Sequence, residues 1–143
     1  GQQYKKELLF LVDEDTNAFN QIIAGFRMSK SSEAEKEVRK KVIEDATKYA
    51  TEIPFKVMQT AYQSMEVMKE MVENGLQNSL SDAGVGALCA RTAVIGAYFN
   101  VRINAKDIKD RSYAEDILNK AKEVYDQTIL LERDMIAFIY TKI

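Results

Sequence analysis

Turn-making residues are scarce in this chain: its 143 residues include a single proline, Pro54, and six glycines. A β-sandwich or barrel needs turn signals at every eight to twelve positions or so, and this sequence lacks the residues to make them. The reading that remains is an all-α, up-and-down bundle of four to five long helices around a buried central one. A hydrophobic share of 46% with 29% charged residues fits a soluble globular chain rather than a disordered one. The length suits one domain spanning residues 1–143.

The same inventory removes whole classes of chemistry. There is no histidine, so a His-based triad, a histidine general base and a Cys/His zinc site are unavailable. Cys89 is the sole cysteine, which precludes an internal disulfide and suits a reducing, cytoplasmic setting. Lys and Arg total 20 against 22 Asp and Glu, a near balance with no electrostatic case for nucleic acid. No unbroken apolar run approaches the roughly 20 residues of a membrane span, so no membrane partner is expected. Carboxylates, amides, hydroxyls and lysines remain to do any chemistry.

Apolar spacing lays out the helices. Leu8, Val12, Phe19, Ile22 and Phe26 form a helical stripe from about Gln3 to Phe26. Ser32, with Glu35 three residues on, predicts a capping box for the next helix. That helix should kink or break near Pro54, resume through Val57, Ala61, Met65, Met68 and Val72, and end at Asn74-Gly75 in a left-handed cap, with Met58, Met65, Met68 and Met71 as core or interface packing. Between Asp82 and about Asn104 the chain is apolar nearly all round. One stripe runs through Val85, Leu88, Ile95 and Phe99, and a second, small-residue stripe through Gly86, Ala90, Ala93 and Ala97. Such a helix is expected to be buried on several sides, with Cys89 as a small core residue and Thr92 bonded back to a carbonyl one turn earlier. A final helix follows Asp110. Two apolar faces on one helix exceed what a short monomer covers, so a homodimer is expected.

Four polar positions interrupt these stripes. Asp15 sits within the first, in the series Leu8, Val12, Asp15, Phe19, Ile22, Phe26. A carboxylate on an apolar seam must be paired, be hydrogen-bonded, face a cavity or carry the raised pKa of a general acid/base. The plainer alternative is a solvated Asp at a groove mouth or a partner for a neighbouring cation. Asp13 and Glu14, turned away from it, are expected to be solvated. Asp82 opens the apolar helix, where it is either a ligand group or simply a charge favourable to the helix dipole. Asn100 and Asn104 extend the small-residue stripe, where amides can orient a polar ligand; Asn104 could equally be a C-cap.

The run Gly96-Ala97-Tyr98-Phe99-Asn100-Val101-Arg102-Ile103-Asn104, preceded by Ser81-Asp82-Ala83-Gly84-Val85, resembles the cyclodeaminase/cyclohydrolase family. That family comprises formiminotetrahydrofolate cyclodeaminase domains and methenyltetrahydrofolate cyclohydrolases. Collinear matches extend along the chain: Leu11-Val12-Asp13-Glu14-Asp15 with Ala18-Phe19, then Lys30, then Ile53-Pro54.

The resemblance implies an intertwined helical homodimer that binds a folate, with no metal and no cofactor beyond the tetrahydrofolate substrate. It assigns proton shuttling to Asp15, and makes Asp82, Asn100 and Asn104 candidates for gripping the pterin. Lys30 or Arg102 would meet the glutamate tail. The implied reaction converts 5-formiminotetrahydrofolate to 5,10-methenyltetrahydrofolate and ammonia, as in histidine degradation. Methenyltetrahydrofolate cyclohydrolysis is the alternative, and a non-catalytic structural or regulatory dimer a further one. The family normally has a glycine-rich segment leading into an additional helix before this first one; the sequence opens at Gly1-Gln2-Gln3-Tyr4 without it, so the domain is expected to be N-terminally incomplete.

Overall fold

The computed structural model describes all 143 residues. Its four helices are α1 (Gln2–Arg27), α2 (Glu33–Asn74), α3 (Leu80–Ala105) and α4 (Arg111–Tyr140), with a 3-10 turn at Gln77–Ser79. At 42 residues, α2 is the spine, roughly 63 Å long at the usual rise. α1 and α3 each run antiparallel to it on adjacent flanks, and α4 packs against α3 and α2.

The predicted break at Pro54 does not occur, since α2 passes through it as one helix. A proline removes one helical N–H, and the carbonyl left without it finds a donor on α3, as described below. At the N-terminus of α2, Ser32 Oγ accepts the Glu35 N–H at 3.2 Å. The Glu35 carboxylate then accepts the N–H of Ser31 at 2.9 Å and the Ser29 hydroxyl. The capping box is therefore shifted one residue upstream. The left-handed cap expected at Gly75 is also corrected: φ is -81° and ψ 175°, an extended exit whose N–H still reaches Met71 O.

The largest correction concerns α1. Its seam against α2 is Leu11, Ala18 and Gly25, spaced seven residues apart. The bulkier stripe is mostly exposed, Val12 by 63%, Phe19 by 61% and Phe26 by 58%, while Leu8 and Ile22 are half-buried and Ile22 packs on the α1–α2 core. Small residues win this seam because they let the two backbones approach. A Cβ on Gly25 would lie 2.9 Å from Ile43 Cγ1. Phe26 instead lies beneath the guanidinium of Arg39, which also donates to the Phe26 carbonyl at 3.2 Å and closes the end of α1.

α3 shows the same inversion. Ala83, Ala87, Ala90, Val94, Ala97 and Val101 form its buried face. Val85, Leu88, Phe99 and Ile103 are exposed, so the large-residue stripe points out of the chain. Cys89 and Ala93 are exposed as well, against the expectation of a fully covered helix. Thr92 does donate to Leu88 O, at 3.0 Å. By length and composition alone the segment Gln77–Ala105 passes for a membrane span, but Asp82, Arg91 and Arg102 interrupt its apolar run and it packs on α2 and α4 as a helix of the bundle.

The core lies in separate clusters, two of them along the α2–α3–α4 seam. Met65, Ala87 and Met135 meet near one end, and Met58, Val94, Val101 and Ala121 meet in the middle. Of the four methionines on α2, Met58 and Met65 are buried, Met68 is half-buried and Met71 is exposed.

Candidate active-site groove

Two hydrogen bonds set the level of the groove. Tyr49 donates its hydroxyl to Glu14 on α1, and the next residue of α2, Ala50, accepts from Asn104 Nδ2 on α3 at 2.8 Å. Glu14 and Asn104 therefore stand at one height on adjacent flanks of α2. Asp15 follows Glu14, and Asn100 lies one turn from Asn104.

Between the flanks runs an open groove floored by α2. One end is a cavity of about 840 Å³ walled by Ile22 and Phe26 of α1, by Asn104, and by Asp107 and Lys109 of the α3–α4 turn. Its floor includes Lys40, Lys41, Ile43, Glu44 and Thr47. Further along α1, Leu8 and Val12 border a separate, more apolar hollow of about 490 Å³ between α1 and α2, with Ser64, Val67 and Met68. Asp15 and Phe19 occupy the stretch of the same α1 stripe between these two hollows.

Asp15 itself is exposed. The apolar seam expected around it is absent within one chain, because α1 buries the adjacent Leu11–Ala18–Gly25 face instead. Glu14, expected to be solvated, is the tethered acid: it is half-buried and also accepts from Asn17 at 3.2 Å.

The other nominated residues divide. Asn104 is half-buried in the cavity wall, and it is not the C-cap, because α3 ends at Ala105 with Lys106 as cap. Asn100 is exposed one turn above it. Asp82 is exposed in the first turn of α3, 22 residues before Asn104 and so roughly 33 Å away along the helix. Lys30 is exposed in the loop beyond the other end of α1. Arg102 is exposed, with its guanidinium 5.8 Å from the ring centroid of Tyr98, whose ring packs on Tyr125 of α4. A single chain thus brings Asp15, Asn100 and Asn104 to one level and leaves Asp82, Lys30 and Arg102 apart from them.

Several groove residues carried no signal in the sequence. Lys40, Lys41 and Glu44 lie on the dense charged face of α2, which reads as solvated, and Lys109 lies in a polar connection. Glu44 accepts the N–H groups of Lys109 and Asp110, the closest approach being 2.9 Å, and thereby fixes the cavity rim. Contacts across 65 residues of chain cannot be read from helical spacing. Lys40 pairs with Glu37 at 2.7 Å and Lys41 with Asp45 at 2.6 Å.

Three carboxylates in this framework are held below their ordinary values. The Tyr49 hydroxyl, then the Asn17 amide, lowers Glu14 from 4.5. The Ser29 hydroxyl and the Ser31 N–H lower Glu35 from 4.5. The Lys48 ammonium and the Tyr113 N–H lower Asp110 from 3.8. A carboxyl depressed in the folded state stabilises above its unfolded pKa, and that contribution is lost as pH falls through the folded value. The thermal midpoint should therefore hold from neutrality to about pH 5 and fall below about pH 4. Glu14→Gln should make that decline shallower; an equally steep decline in the variant would contradict the assignment.

Comparison with known proteins agrees with this architecture. The Formiminotransferase-cyclodeaminase family model matches residues 1–123. A methenyltetrahydrofolate cyclohydrolase of Methylorubrum extorquens is 30% identical over 116 residues, which are 81% of this chain and 56% of that protein. A formimidoyltransferase-cyclodeaminase of Rattus norvegicus is 33% identical over 109 residues, 76% of this chain and 20% of that protein. The chain therefore spans little over half of one relative and a fifth of the other. The crystal structure of formiminotetrahydrofolate cyclodeaminase from Thermotoga maritima superposes with a TM-score of 0.84 at 21% identity, covering 98% of this chain and 66% of that one. At that identity the likeness is one of fold. With a family model spanning 123 of its 143 residues, the chain belongs to the formiminotransferase-cyclodeaminase family.

Proposed function

We propose that this protein is a folate-dependent cyclodeaminase that converts 5-formiminotetrahydrofolate to 5,10-methenyltetrahydrofolate and ammonia. The observation that supports the reading is that α1, which bears Asp15, and α3, which bears Asn100 and Asn104, meet α2 at neighbouring residues in a chain of this family.

The chemistry requires one mobile proton site beside a held substrate. N10 attacks the formimino carbon, forming the N10–C bond and a tetrahedral carbon that bears the amine. The N10 proton must leave, and the amine must be protonated before its C–N bond breaks to release ammonia. Asp15 is the group proposed to take the first proton and deliver one to the leaving nitrogen. The amide of Asn100 suits the donor–acceptor edge of a pterin, and the apolar walls at Ile22 and Phe26 suit its flat ring. Holding N10 against the carbon adds a proximity contribution.

A proton shuttle near neutrality needs a surround of lower dielectric than open solvent. The same reading therefore includes a second copy of the chain over the exposed α1–α3 face. Val12, Phe19, Val85, Phe99 and Ile103 are all at least 56% exposed there. A two-fold arrangement also offers the distant Asp82 and Lys30 of one copy, and Arg102 on another face of α3, to the groove of the other. Sedimentation should show a species of twice 16.3 kDa. Phe99→Asp with Ile103→Asp should return it to monomer mass and abolish turnover; a monomeric wild type would remove the dimer from the mechanism.

The deciding assay mixes the protein with 5-formiminotetrahydrofolate and follows the methenyl product and ammonia together. No turnover above a blank ends the cyclodeaminase reading. The 30% identity to a cyclohydrolase supports a second reading, hydrolysis of 5,10-methenyltetrahydrofolate. Both reactions use one acid beside the same bridging carbon, so the two substrates are compared side by side.

A further inference from the structure

Pro54 is buried inside an unbroken α2. Its nitrogen bears no hydrogen, so the carbonyl four residues earlier, that of Ala50, lacks its ordinary helical donor. Ala50 is itself buried, where an unmatched acceptor is costly. The Asn104 Nδ2–H donates to that carbonyl at 2.8 Å, from a residue 54 positions along the chain.

We propose that Asn104 is a positioning residue: its side-chain N–H replaces the one Pro54 lacks and locks the register of α3 on α2. A slip of one residue along either helix, about 1.5 Å, would break this bond. The lock therefore holds the wall that carries Asn100, Asn104 and Asp107 at a set height opposite Asp15. This deepens the folate reading and rests on it for its consequence in binding, while the lock itself is testable without any ligand. It also accounts for the pairing of a proline within one helix and an amide near the end of another.

The experiment is a double-mutant cycle on Asn104→Ala and Pro54→Ala. Alanine at position 54 restores the backbone donor, so the Ala50 carbonyl no longer depends on Asn104. Asn104→Ala should lower the thermal midpoint by about 3–9 °C in the native background, and by less than about 2 °C with Pro54→Ala. Asn104→Asp keeps the shape without the N–H; it is run beside the alanine variant and should be relieved in the same way. An equal fall in both backgrounds overturns the lock.

The second readout is affinity for 5,10-methenyltetrahydrofolate across the same four proteins. Positioning predicts that Asn104→Ala weakens binding at least about tenfold and that Pro54→Ala restores most of it. A double variant as weak as Asn104→Ala would overturn positioning in favour of direct contact. If the wild type binds no folate, the functional reading fails, and the stability cycle still decides the lock.

Discussion

Asp15→Asn is expected to reduce turnover of 5-formiminotetrahydrofolate by about 10²- to 10⁴-fold, the usual contribution of a positioned general acid/base. The thermal midpoint should stay within about 2 °C of wild type, because an exposed side chain away from caps and cores carries little stability. The amide keeps the size and polarity of the carboxylate but cannot exchange the proton, so affinity for folate should be retained. Glu14→Gln, at the adjacent position, provides the contrast. Glu14 is tied to Tyr49 and Asn17, and its loss should appear in acid stability rather than in turnover. Unchanged turnover in Asp15→Asn would remove that carboxylate from the chemistry.

Leu11→Ala should destabilise the chain by about 2–4 kcal/mol, since it empties part of a buried seam that the helix cannot close again. Leu11 is only 4% exposed, against 63% for its neighbour Val12. The loss from Leu11→Ala should be the same at every protein concentration in chemical denaturation. Val12→Ala should act only where copies associate, with an effect that fades on dilution. A concentration-independent loss for Val12→Ala as large as that for Leu11→Ala would mean that α1 is seated the other way round. This pair of variants tests which face of α1 meets the spine, the point on which the placement of Asp15 depends.

The elements were legible and their faces were not. Scarce turn residues, the Ser32–Glu35 cap and Asp110 at the head of α4 predict helices close to those observed. Helical spacing finds an apolar stripe on α1 and two on α3, but hydrophobicity ranks large residues above small ones. Close backbone packing ranks them the other way, as Leu11–Ala18–Gly25 and the alanines of α3 show. Pro54 reads as a break because its missing N–H is local information; the donor that compensates for it lies on another helix.

For the site, the sequence singled out Asp15, Asn100 and Asn104, and the fold brings these to one level on either flank of α2. Asp82, Lys30 and Arg102 were chosen by the same reading and stand apart within one chain. The lysines and Glu44 of the cavity escaped notice because a charged helical face looks alike whether it meets water or lines a hollow.

What this sequence determined by itself is that the chain is all helical, where most of its helices begin and end, and its family, because periodicity, caps and collinear motifs are local properties of the chain. Only the tertiary structure decided which face of each helix is buried, that α2 passes through Pro54 unbroken, and that a groove opens between α1 and α3. Those outcomes depend on how closely two backbones approach, as at Gly25 and Ile43, and on where an unpaired carbonyl finds its donor, as at Ala50 and Asn104, and both are set by residues on different helices.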